Sequence, residues 1–170
     1  CSNCCTFSWY LQKQLLQNTI VIITSDHGQE FNDNKKGYWQ HGGNFSKHQI
    51  KVPMLVFDPS IHPKTHQHLT LHYDLVPTIM QDVLGVTNKF SDYTIGQNIY
   101  TNHPRDWFVC GYNQKYSVIE KNRITNIYES GNYDITDEKL NSLDDDLNYE
   151  VISKAFEMNN SFFKKNSSSK

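Results

Sequence analysis

The chain has 170 residues, with 16 basic and 18 acidic side chains giving a net charge of −2. That length suits one domain of ordinary size, and the near-balanced charge argues against nucleic acid as a partner. No stretch approaches the roughly 18 consecutive apolar residues of a membrane-spanning helix, and the first ten residues lack the basic and apolar regions of a cleavable signal, so neither is expected.

The cysteines are Cys1, Cys4, Cys5 and Cys110. The Cys-x-x-Cys-Cys start looks like half of a zinc knuckle, but no second pair follows at finger spacing, so free thiols are expected. The chain begins with Cys rather than Met and reads as a fragment or the tail of a longer frame. Leu11, Leu15 and Leu16 have helical spacing and feed the next segment.

That segment, Thr19 to Val56, carries the chemistry. Ile20-Val21-Ile22-Ile23 is a β-branched run of the kind found in buried, parallel strands. Such a strand is apolar on both faces and needs neighbours on both sides. Ligands in α/β sheets gather just past the carboxyl ends of strands, where Asp26 and His27 stand. A carboxylate oxygen beside an imidazole nitrogen suits Zn²⁺, Mn²⁺ or a similar divalent ion. Adjacent residues on a regular strand point to opposite faces, so both reach one ion only where the strand has ended. Gly28 is a residue free to turn there. His41, across a polar loop, can return to the same place. Asp-His alone more often marks a loop with two stray histidines. A strand, Asp-His-Gly, a polar loop, Trp39-Gln40-His41-Gly42 and a second strand at Val52–Phe57 together are much harder to assign that way. Glu30 and Asp33 read as solvated loop carboxylates. Trp39 either walls the pocket or packs on the loop.

Asn44 to Lys51 reads as a helical turn. His62, His66 and His68 read as an exposed loop, because Pro63 interrupts any helical spacing. Asp74 is a candidate N-cap for a helix whose apolar stripe is Leu75, Val76, Ile79, Met80, Val83 and Leu84, with Gly85 as its C′ residue. Trp107–Gly111, Tyr116–Glu120, Thr125–Tyr128 and Tyr133–Ile135 predict an antiparallel meander. Asp144-Asp145-Asp146 lacks the spacing and glycine of a calcium loop and suits the start of a helix running to about Phe163. Residues 166–170 read as a disordered tail.

Thr24-Ser25-Asp26-His27-Gly28, Glu30-Phe31, Tyr38-Trp39, His41-Gly42, Asn44-Phe45-Ser46 and the Asp-Leu-Val-Pro-Thr segment at 74–78 resemble the alkaline phosphatase superfamily in its sulfatase-like branch. The details look closest to the YejM/PbgA-like inner-membrane proteins of Gram-negative bacteria. The resemblance implies an α/β sandwich with a mostly parallel sheet, of which this chain is the C-terminal part, followed by the small antiparallel meander and a C-terminal helix. Residues 15–165 are then the C-terminal portion of a sulfatase-like domain, and 1–14 match poorly. By the same resemblance Asp26 and His27 are ligands of a divalent metal (Zn, Mn or Mg), and the catalytic His41 contacts a phosphate or sulfate group or a second metal. The first metal acid and the nucleophile would lie before residue 1; Thr24 and Ser25 do not occupy the nucleophile position.

The implied function is ester hydrolysis or phospho-transfer in the bacterial envelope, with this chain inactive alone. The alternatives are a non-catalytic regulator that senses lipid A or lipopolysaccharide, and the remnant of a disrupted gene. Implied partners are the upstream half of the same domain and an envelope lipid or lipid A. The parent family is inner-membrane with a periplasmic domain.

Overall fold

The computed structural model describes residues 8–101 and 103–165. The cysteine-rich start and the tail at 166–170 lie outside the described residues. The chain divides into two compact units, with Thr65 closing the first and His66 opening the second.

In the first unit, residues 8–12 are helical and a 3₁₀ turn at Leu15–Asn18 buries Leu16. Strand β1 (Val21–Thr24) follows, then a long loop, the single turn α1 (Lys47–Ile50) and strand β2 (Met54–Phe57). β1 and β2 pair antiparallel, with Val21 opposite Phe57 and Thr24 opposite Met54. The Thr24 hydroxyl donates to the Pro53 carbonyl (2.9 Å) and closes the ladder at the site end.

The class is α/β, but the parallel pairing expected of β1 is not what its described neighbour provides. A parallel neighbour needs a crossover of a dozen or more residues, usually carried by a helix that lies on the sheet. Here the return path holds one four-residue turn, so the chain doubles back beside itself. Val21, Ile22 and Ile23 are consequently half-buried rather than buried, and Leu55 and Phe57 are 61% and 36% exposed.

The second unit opens with a turn at His72–Asp74 that runs into α2 (Leu75–Thr78) and a π-helical turn, Ile79–Val83. Gly85, at φ +65°, takes the left-handed conformation expected of a helix stop. Asp74 makes no side-chain cap to α2. Its buried carboxylate instead accepts from the Leu71 N–H (2.8 Å), the Gln97 N–H (2.9 Å) and, bidentately, Arg105 Nη1 and Nη2 (2.9 and 2.8 Å). Its role is structural, as the sequence suggested, but it ties three segments together instead of capping one helix. The stripe on this helix is less covered than expected, with Val76, Ile79, Val83 and Leu84 exposed.

Strands β3 (Trp107–Tyr112), β4 (Lys115–Glu120), β5 (Arg123–Tyr128) and β6 (Tyr133–Thr136) form the antiparallel meander in chain order. Val118, Ile119, Ile124 and Ile135 make its buried core. Helix α3 (Tyr149–Lys165) lays the fully buried Ala155 into the unit, and its Phe156 ring stacks on Tyr116 at 5.7 Å. The cap of α3 is Asn148, whose Oδ1 accepts the Val151 N–H (3.3 Å). The aspartate run is held elsewhere: Arg123 pairs with Asp145 (3.8 Å) and donates to the Asp146 carbonyl.

Candidate metal centre

Asp26 and His27 follow directly on β1, where the chain leaves the ladder. The Ser25 hydroxyl donates to the His27 carbonyl (2.7 Å), and the His27 N–H donates to Asp26 Oδ1 (3.0 Å). These two bonds fold the dipeptide back on itself and bring Asp26 Oδ2 to 3.6 Å from His27 Nε2. The His27 N–H, then the adjacent His27 ring, hold the Asp26 carboxyl below its usual value.

His27 Nδ1 lies 2.9 Å from the Gly28 carbonyl. A carbonyl can only accept, so Nδ1 carries a proton; when the ring is neutral, Nε2 is the lone-pair nitrogen and faces the space that Oδ2 also faces. Two facing lone pairs are satisfied by a cation between them. Bonds of about 2.1 Å at a tetrahedral angle place two donors roughly 3.4 Å apart. The 3.6 Å separation therefore fits a shared divalent ion, and both side chains are open to solvent.

Gly28 is essential to this corner for a reason the sequence did not give. Its φ is not positive; what it permits is close approach. A Cβ on Gly28 would sit 2.2 Å from the His48 carbonyl oxygen, and the Gly28 N–H donates to the Gln49 carbonyl at 2.7 Å. The site end of β1 is thus laid directly on α1.

His41 arrives across a loop of tight turns. The Asn32 N–H donates to the Tyr38 carbonyl (2.6 Å), and Asn32 Oδ1 accepts the Gly37 N–H (2.7 Å). Gly42, at φ +77°, turns the chain away after His41. The His41 and His27 rings stack with centroids 4.0 Å apart and planes 20° apart. Gln29 orients His41: its Nε2 donates to the Trp39 carbonyl (3.3 Å), which turns its Oε1 toward His41 Nδ1 (3.4 Å). Imidazole lone pairs lie in the ring plane, so near-parallel stacked rings direct them side by side rather than onto one ion. His41 thus shares the site without completing a ligand triad. Among the described residues no group of three or more His, Cys, Asp or Glu could hold a metal ion.

Trp39 is 64% exposed, and Asp33 is a surface carboxylate accepting the Phe31 N–H (2.8 Å), as its loop position suggested. Glu30 differs from expectation. It has no solvent exposure, and its carboxylate accepts from Asn34, Asn44, Ser46 and Gln49 (2.8–3.2 Å). A buried carboxylate needs such donors, and they come from positions 4 to 19 residues downstream, which no local pattern reveals. His62, His66 and His68 form no metal group; His68 Nε2 instead bonds the Ile99 carbonyl at 2.9 Å.

The family model described as Sulfatase matches residues 6–86. An uncharacterized protein of Haemophilus influenzae is 32% identical over 159 residues, covering 91% of this chain and 26% of its own length. The inner membrane protein YejM of Salmonella typhimurium is 27% identical over 128 residues, covering 72% of this chain and 21% of its own. The chain therefore spans about a quarter of the length of these relatives. Among solved structures, BT4656 in complex with D-glucosamine-2-N,6-O-disulfate superposes with a TM-score of 0.68 at 14% identity, over 94% of this chain and 37% of that one. A protein of the alkaline phosphatase superfamily from Vibrio parahaemolyticus gives 0.65 at 19%, over 95% and 38%. The Sulfatase match over residues 6–86, the YejM likeness and the shared fold of an alkaline phosphatase superfamily structure together support a sulfatase-like, YejM-like chain.

Proposed function

We propose that this chain supplies part of a divalent-metal site for a phosphoric or sulfuric ester, with Asp26 and His27 as metal ligands and His41 as the group that meets the ester anion. The observation that carries the reading is the 3.6 Å approach of Asp26 Oδ2 to His27 Nε2, with Nδ1 committed to the Gly28 carbonyl. A bound divalent ion would polarise the ester and stabilise charge on its oxygens. Asp26 brings a negative charge to the ion and His27 a lone pair of fixed direction. The His41 ring, stacked face to face on the His27 ring, would meet an anion beside the ion through its Nε2 when both ring nitrogens carry protons.

The remaining ligands and the nucleophile belong to a part of the domain outside the described residues. The half-exposed β1–β2 ribbon and the bare face at Val76, Ile79 and Val83 are surfaces that such a part would cover. Alone, the chain should turn over no phosphate or sulfate ester. The whole protein would sit at the inner membrane, as its YejM relative does by name, although no helix of the described residues is long and apolar enough to cross a membrane. A second reading is a non-catalytic protein of the inner membrane, the place that the YejM relative's name gives.

Zn²⁺ titration followed on the histidine ring resonances tests the reading. His27 should respond at Nε2, and Asp26→Ala should abolish the response. Equal binding by Asp26→Ala or His27→Ala, or steady hydrolysis by the 170-residue chain, would overturn it.

A further inference from the structure

The two stacked imidazoles sit on segments that share no strand, and what joins those segments is a buried polar pair. Glu30 Oε2 accepts from Asn44 Nδ2 (2.8 Å), Ser46 Oγ (3.2 Å) and Gln49 Nε2 (2.8 Å), and Oε1 accepts from Asn34 Nδ2 (3.2 Å). All four donors are neutral, and an ionised carboxylate has about four acceptor positions, so the group is filled without a cation.

Gln49 is the junction. Its Nε2 goes to Glu30, while its Oε1 accepts the N–H groups of Gly43 (3.2 Å) and Asn44 (3.5 Å). Its backbone carbonyl accepts the Gly28 N–H (2.7 Å). One residue therefore grips the chain immediately after His27 and again just after His41-Gly42. Glu30 in turn holds the Gln49 amide in the only orientation that makes these bonds, because a carboxylate accepts and never donates.

We propose that Glu30 and Gln49 are positioning residues: a polar clamp that fixes the His27 ring against the His41 ring. A buried charge is a poor means of stabilisation, since apolar residues of equal volume often do as well or better. What the carboxylate provides is direction, by converging four donors from the loop and from α1 on one place. The clamp's use in ester or metal binding rests on the function proposed above; the clamp itself does not.

The test uses the 170-residue chain and the nuclear Overhauser effect between His27 and His41 ring protons. Wild type should show it. Glu30→Gln, which turns an amide donor toward other donors, should lose it while the amide signals of β3–β6 stay in place. The exchanged pair Glu30→Gln with Gln49→Glu keeps a carboxylate facing an amide and should restore it. Zn²⁺ affinity should fall about 10–100-fold in Glu30→Gln, the usual effect of removing a group that orients a metal ligand, and recover in the exchanged pair. Retention of the inter-ring signal in Glu30→Gln would overturn the proposal. So would an exchanged pair that fails to fold or keeps the rings apart, which decides the matter if the single variant does not fold. A clamp that behaves as predicted in a chain whose histidines ignore Zn²⁺ would uphold the clamp and remove the metal reading.

Discussion

Replacing Gly28 with alanine should separate β1 from α1 and dismantle the site from beneath. The new Cβ would lie 2.2 Å from the His48 carbonyl oxygen, 3.1 Å from its carbon and 3.3 Å from the Gln49 carbonyl carbon. These are backbone atoms, so no rotamer change relieves the clash. An ordinary Cβ–oxygen contact needs about 1 Å more, which stretches the 2.7 Å bond from the Gly28 N–H to the Gln49 carbonyl past any useful length. Overpacking costs about 1–3 kcal/mol, and an unmade buried hydrogen bond costs about 1–3 kcal/mol more. Together they give roughly 2–6 kcal/mol, concentrated in the first unit. With a urea slope of about 1–3 kcal/mol/M, the unfolding midpoint should fall by about 0.7 M or more. Residue-resolved amide signals should show the loss around Gly28 and α1 while β3–β6 remain. A midpoint within about 0.2 M of wild type, with His27 and His41 signals unmoved, would refute the reasoning.

Asp74→Ala leaves the buried Arg105 guanidinium and the Leu71 and Gln97 N–H groups without their acceptor, and it should cost the second unit about 3–5 kcal/mol in thermal or urea unfolding. A loss below about 1 kcal/mol would mean that the pair is solvated in solution. Glu30 predicts an acid limb. Burial raises its carboxyl, but the Asn44, Gln49, Ser46 and Asn34 donors outweigh that and hold it below the usual 4.5. A depressed folded value stabilises above the unfolded value and is lost as pH falls through the folded one. The first unit should therefore weaken below about pH 4.5, and Glu30→Gln should flatten that limb in a pH series of urea melts.

The sequence revealed what local pattern encodes. Strand runs, the Asp-His pair at a strand end, the meander and the closing helix all carry periodic or positional signals, and their structural bounds differ from the expected ones by a residue or two. The return of His41 to His27 followed from motif spacing. Less legible were features set by distant partners. The ladder direction of β1 depends on how 29 intervening residues (25–53) are routed, not on the strand itself. Glu30 looked solvated because its four donors are scattered through the loop and α1. Asp74 looked like a cap because Arg105, its partner 31 residues on, stands in a stretch with no pattern of its own. Gly28 was noticed for the right position and the wrong reason: its neighbour in space, not its turn, forbids a side chain.

The central claim is that Asp26 and His27 present two donors to one cation. Anomalous diffraction at the zinc edge, from crystals of this chain soaked in Zn²⁺, measures that directly. The account predicts a peak about 2.0–2.2 Å from both Asp26 Oδ2 and His27 Nε2, with the His41 ring still stacked beside it. A peak bound by other residues, or none at this corner, would contradict it.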